Sequence, residues 1–124
     1  MTMPRKENII QDKSEKYSAR IIRMYQYLIK IKYETVMSKQ ILRSGTSIGA
    51  NVAESRNAQS AADFINKLNI ALKEADETMF WLKSLKAGNY ITEKQFYSMM
   101  TDNEEIIKIL TSIIKTKKNN ITIQ

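Results

Sequence analysis

Past Pro4 the chain contains no proline, and only three glycines, Gly45, Gly49 and Gly88, fall in residues 5–124. Gly and Pro are the residues that end or kink helices, so a chain this poor in them is expected to form long helices joined by short turns. The apolar spacing agrees. Tyr17, Ile21, Met24, Leu28 and Ile31 recur at intervals of four and three, one stripe of a first helix over about Lys13 to Lys32 with Ser14 as N-cap.

A second helix is expected over Val36 to Arg56, capped by Thr35, with Ile41, Gly45, Ile48 and Val52 on its apolar line and Leu42 and Gly49 alongside. Each interior glycine costs a helix about 1 kcal/mol relative to Ala, and close approach of another backbone is the natural offset. In a third helix, Phe64, Leu68, Ala71, Leu72, Ala75, Met79, Leu82 and Leu85 share a face. Ser60 and Asp63 form a capping-box variant at its start, and Gly88 suits a left-handed position at its end. A fourth begins at Thr92 with Gln95 at capping-box spacing and runs through Phe96, Met99, Asn103, Ile106, Leu110 and Ile113 towards Lys118. These segments predict an all-α fold, an antiparallel up-down-up-down four-helix bundle, over residues 13–118. Residues 1–12 are expected to be disordered or loosely ordered, and 119–124 to fray.

The sequence has 43% apolar residues, as an ordinary globular domain does. It has no Cys, hence no disulfide and no thiolate chemistry, and no His, the commonest general base and metal ligand near neutral pH. Its first residues show no signal-peptide core, and no run approaches the roughly 18 apolar residues of a membrane span. A soluble, cytoplasmic protein is expected.

Twenty Lys and Arg against thirteen acids give a net charge of +7, and the distribution of that surplus bears on partners. Lys13, Lys16, Arg20, Arg23 and Lys30 share one face of the first helix, with Tyr27 filling the gap. Between Lys13 and Lys32 stand six basic residues and one acid, Glu15, whereas Ser60 to Ala87 balances four Lys against four acids. A basic line along a helix suits phosphates, which need positive charge along their track. Tyr27 could stack on a base. The plainer reading is a solvated face.

Ser44 to Ala53 carries no charge at all, in a chain 27% charged. Small residues on nearly every side of a helix suit packing on more than one face. Beyond the apolar line of the second helix lie Arg43, Ser47, Ala50, Asn51 and Glu54, and opposite the core face of the third lie Ile70, Glu74, Glu77 and Trp81, with Phe80 beside them. One reading is scattered surface apolars. The sharper one is a subunit interface with Trp81 as aromatic anchor, Arg43 or Arg56 meeting Glu74 or Glu77 within or across subunits, and Asn51 and Glu54 satisfying buried polar groups.

Chemistry has little support. Di-iron bundles use Glu-x-x-His pairs and this chain has no His; an oxygen-ligated Mg site at Glu54, Glu74 and Glu77 has no ligand motif. Gly45-x-x-x-Gly49 lacks the Gly-Lys-Ser/Thr ending of a phosphate loop, and its flanks are too polar for a membrane dimer motif. Ser44, Ser47 and Ser60 have no visible activating base. No catalytic residue, metal or cofactor is expected.

The string Gln40-Ile-Leu-Arg-Ser-Gly-Thr-Ser-Ile-Gly-Ala-Asn-Val-Ala-Glu54 closely resembles the signature of the 23S rRNA intervening-sequence proteins. The match continues through Ser60, Asp63-Phe64-Ile65, Lys67-Leu68, Ile70 to Ala75, Glu77-Thr78 and Trp81-Leu82. The chain is also similar, more distantly, to the accessory variability determinant proteins of diversity-generating retroelements. One departure is Ser55, where many members carry Gly or Ala. The resemblance implies a bacterial four-helix bundle assembling into a ring, a homopentamer, with no catalytic residues; for the retroelement relatives it implies a basic surface that binds nucleic acid and a reverse transcriptase. The first helix lies largely outside the signature. The reading is thus a non-enzymatic homo-oligomeric bundle binding RNA or DNA through a basic surface. The alternatives are a protein-interaction ring without nucleic acid and, third, an enzyme with an oxygen-ligated metal.

Overall fold

The computed structural model describes residues 5–123, with side chains through Ile121. Four helices, α1 (Arg5–Lys30), α2 (Met37–Ser55), α3 (Ala61–Ala87) and α4 (Glu93–Ile123), follow one another with short turns. Each helix packs on its neighbours in sequence and α4 closes back on α1, while the backbones of the diagonal pairs stay apart across the core. The α1–α2 and α3–α4 turns share one end of this up-down-up-down bundle; the α2–α3 turn lies at the other, with the start of α1 and the end of α4.

The expected apolar stripes fill the centre. Ile10, Tyr17, Ile21 and Leu28 of α1 meet Ile41, Ile48 and Val52 of α2, Leu68, Leu82 and Leu85 of α3, and Ile106 and Leu110 of α4. Ile31 is the exception. It falls just past α1 and is exposed. The core also holds a polar pair: the Tyr17 hydroxyl donates to the Met99 carbonyl at 3.2 Å and accepts from Asn103 Nδ2 at 3.0 Å. Burial pushes the Tyr17 phenol well above its usual range. Asn103 Oδ1 is buried without a hydrogen-bond partner.

Helix ends differ from expectation in three respects: at the two chain termini, at the start of α2 and after α3. The first helix begins at Arg5, so the loose segment expected over 1–12 is corrected for residues 5–12; residues 1–4 lie outside those described. Burial of Ile10, and Arg56 of α2 donating to the Glu7 carbonyl and the Asn8 and Gln11 side chains, hold this extra length. Ser14 is consequently no cap but a buried interior residue whose hydroxyl bonds the Gln11 carbonyl. At the other terminus α4 continues to Ile123, through the tail expected to fray, and Gln124 is outside the described residues.

The second difference concerns the start of α2, which Thr35 does not cap. Glu34 does. Its buried carboxylate accepts from the backbone N–H of Val36, Met37 and Ser38, at 3.2, 3.1 and 2.7 Å. An acid here answers both the orphan N–H groups and the positive end of the helix dipole. Directly before it, Tyr33 takes a left-handed conformation with φ of 56°, which costs a non-glycine residue on the order of 1 kcal/mol. Third, the left-handed residue after α3 is Asn89, φ 61°, while Gly88 sits at −81°. The Thr92 capping box forms in full, while at Ser60 the Asp63 carboxylate accepts from Gln59 N at 3.3 Å instead of from Ser60 N. Ser60 Oγ accepts from Asp63 N at 3.0 Å, and Thr92 and Gln95 exchange bonds of 2.9 and 3.1 Å.

The glycines of α2 serve close approach, as their helix cost suggested, and the neighbour they admit is α1. A Cβ at Gly45 would stand 2.7–2.8 Å from three carbons of Ile21, and one at Gly49 would stand 3.3 Å from the Ser14 carbonyl oxygen. Ile21 is fully buried and β-branched, so it has little room to turn aside. Gly45→Ala therefore sets an overpacking cost of about 1–3 kcal/mol against a helix-propensity gain of about 1. Net destabilisation is expected by urea unfolding; a more stable variant would show that α1 can move away freely.

Candidate nucleic-acid and assembly surfaces

The basic stripe of α1 does lie on one face, but that face runs along the seam with α4, where acids meet it. Lys13 pairs with Glu105, which holds its ammonium more firmly charged. Arg20 pairs with Asp102 at 2.6 Å and bonds the Ser98 hydroxyl at 2.8 Å. Lys16 pairs with Asp12 on its own helix at 3.0 Å. Arg23 and Lys30 have no ion pair among the described residues. Arg23 and Arg20 line a groove of about 300 Å³ with Tyr27, Met24, Ile91, Gln95 and Met99. Tyr27 is half-buried in this groove.

The two outer faces expected to form an interface meet within one chain. Arg43 Nη1 lies 3.0 Å from Glu74, and its other terminal nitrogen bonds Glu77, which stabilises the charged guanidinium. Glu77 also accepts from Trp81 Nε1 at 3.2 Å, so four side chains, Arg43, Glu74, Glu77 and Trp81, form a ladder across α2 and α3. Trp81 is half-buried and packs edge-to-face on the exposed Phe80, with ring centres 4.9 Å apart. Ile70 is half-buried. Ser47 donates to the Arg43 carbonyl and Asn51 to the Ser47 carbonyl, at 2.6 and 2.8 Å, both within α2. Glu54 is exposed and reaches Lys67 at 3.4 Å, so it satisfies no buried group. Arg56 turns to α1 and takes no part in the ladder.

These pairings bear on metal chemistry. Glu54 pairs with Lys67, while Glu74 and Glu77 share the guanidinium of Arg43. No group of three carboxylates able to hold a metal occurs among the described residues.

Folding redistributes the positive surplus. Near the two turns α1–α2 and α3–α4, residues 24–42 and 79–97 carry six Lys against Glu34 and Glu93, and Glu34 is turned inward as a cap. Around the opposite end, residues 5–13, 49–67 and 108–123 carry nine Lys and Arg against four acids. Between them, 14–23, 43–48, 68–78 and 98–107 carry five basic residues and seven acids. The ends are basic and the waist is mildly acidic. Reading each helix alone concealed this, because Asp102, Glu104 and Glu105 come from α4, some eighty residues from the stripe they offset. The lysines of the turns, Lys32 and Lys39, were missed as candidates; their clustering around two turns at one end was the available signal.

Arg43 keeps half of its side chain exposed, so its pairs contribute at most about 1 kcal/mol to folding. Glu77→Ala is expected to lower stability by no more than that, while shifting the emission of Trp81, the sole tryptophan, to the red as its indole gains water. Unchanged emission would mean that Glu77 does not hold the ring.

Comparisons with known proteins agree with the four-helix fold. A family model described as 23S rRNA-intervening sequence protein matches residues 6–112. A solved structure from Bacteroides thetaiotaomicron VPI-5482, described as a protein of unknown function from the S23 ribosomal protein family, is 57% identical and superposes with a TM-score of 0.88. The match covers 89% of this chain and 98% of that one. No curated protein matches. With the model match spanning all four helices, the chain belongs to the 23S rRNA intervening-sequence protein family.

Proposed function

We propose that this protein is a non-enzymatic, homo-oligomeric bundle of the cytoplasm that binds RNA or DNA through basic surfaces at its ends. The observation that carries the reading is the segregation of charge, with lysine-rich ends on either side of an acidic waist. A phosphate backbone is drawn to such patches without any base-specific geometry. The α1 stripe contributes through Arg23 and Lys30, its two members without an ion pair; Lys13, Lys16 and Arg20 enter by exchanging carboxylates for phosphates. The non-enzymatic part rests on a sequence without His or Cys and on candidate carboxylates already engaged by Arg43 and Lys67.

Assembly of several copies, five by the family resemblance, is supported by the outer face of α2 and α3. Ala50 and Ala53 stand exposed and uncharged on α2, and Phe80 on α3. Those features also favour the second reading, a protein-interaction ring that never touches nucleic acid.

Two measurements separate these readings. Affinity for nucleic acid, by fluorescence anisotropy, is expected to fall steeply with salt. Replacing Lys30, Lys32 and Lys39 by Glu should weaken it strongly and flatten the log–log slope by roughly 2, the value for three lost phosphates on a single strand. The same reversal at Lys16, Arg20 and Arg23 should do less, since two of these already face acids. Salt-independent affinity, or none, would leave the scaffold reading. Sedimentation at micromolar concentration should give an oligomer whose dissociation on dilution red-shifts Trp81 emission; a monomer ends the assembly idea.

A further inference from the structure

Among exposed large apolar residues, three lie together at the α1–α2 turn: Ile31, Tyr33 and Val36, with 62%, 82% and 70% of their surfaces open. Lys30, Lys32 and Lys39 flank them, all exposed and without an ion pair among the described residues. The one acid of this turn, Glu34, spends both carboxylate oxygens on the backbone N–H groups of α2. The turn thus presents an open aromatic ring within a field of uncompensated positive charge.

The turn is also fixed. Ile31 N and Lys32 N bond the Tyr27 carbonyl at 2.9 and 3.3 Å, and Glu34 N bonds the Leu28 carbonyl at 2.9 Å. These bonds and the Glu34 cap hold Tyr33 in its left-handed conformation, where its side chain projects outward instead of packing on the bundle. A residue kept in a disfavoured backbone region and left open to solvent gains nothing for the fold by being aromatic.

We propose that this turn is a stacking platform for an unpaired base, so that the nucleic acid held at this end of the bundle is single-stranded. The proposal rests on the nucleic-acid reading above and deepens it. Stacking on an aromatic ring beside a cationic track is how strands are held without sequence readout. A duplex keeps its bases stacked on one another and offers such a ring nothing but its backbone. A protein partner fits less well, because interface cores are depleted of lysine, and three exposed lysines lie within six residues of Tyr33. A groove lined by Tyr27, Arg23 and Arg20 lies on the α1–α4 seam of the same helix that leads into the turn.

The test compares an unstructured oligouridine with a duplex of matched length at low salt, using the full chain. The single strand should bind more tightly. Tyr33→Gly should weaken its binding by about tenfold while leaving duplex binding unchanged, and Tyr33→Phe should keep the wild-type affinity. Glycine is the informative replacement because it relieves the left-handed backbone, so thermal stability should hold or rise and a folding defect cannot mimic the loss. Equal binding of both probes, or an unchanged Tyr33→Gly, overturns the platform while leaving nucleic-acid binding intact. Failure of the wild-type chain to bind either probe overturns both readings. A Tyr33→Gly variant that instead changes oligomeric state with no selective loss for the single strand would make this turn a contact between copies, against the proposal.

Discussion

The approach of α1 to α2 at Gly45 and Gly49 sets the geometry on which the other surfaces depend. Ile21 stands where a Cβ on residue 45 would be, and the Ser14 backbone lies against residue 49. Contacts this close fix both the separation and the register of the two helices, because sliding α1 along α2 would drive a side chain into the space the glycines leave open. With α1 so placed, Tyr17 reaches Met99 and Asn103, and Arg20 reaches Asp102 and Ser98. The α1–α4 seam is therefore aligned by a contact made on the other side of α1.

That alignment changes the meaning of the basic stripe. On its own helix it looks like an exposed electrostatic track. In the bundle it is one half of an ion-paired seam, and the charge left over moves to the ends. Paired lysines at a surface still attract phosphate, but each must first give up a carboxylate. Unpaired ones such as Lys30, Lys32 and Lys39 need give up only water. Phosphate affinity on this view concentrates where the helices turn rather than along their length.

The ladder of Arg43, Glu74, Glu77 and Trp81 closes α2 on α3 in a similar way. Its members are satisfied within one chain, so the proposed assembly would not need them to find partners across a boundary. What remains outward there is small and uncharged on α2 and aromatic at Phe80. Such a surface loses little by being covered, whereas Arg43 and its acids would form a polar rim.

The sequence by itself determined the four helices, their order, most of each core stripe, the caps at Ser60 and Thr92 and the close approach at the two glycines. Each of these is a property of residues within about a turn of one another, or of a stripe that has only one way to be buried. It also held the family signature, most of it on α2 and α3. Tertiary structure decided what needs two distant segments: the carboxylates that meet the α1 stripe, the single-chain ladder at Arg43, the added start of α1 held by Arg56, and the assembly of lysines from two turns into one basic end. Glu34 and Tyr33 fall between these cases. Both lie in the sequence beside a helix start, yet only the path of the turn made one a buried cap and the other an open ring, because the direction of a side chain in a turn is set by backbone angles that helix periodicity does not encode.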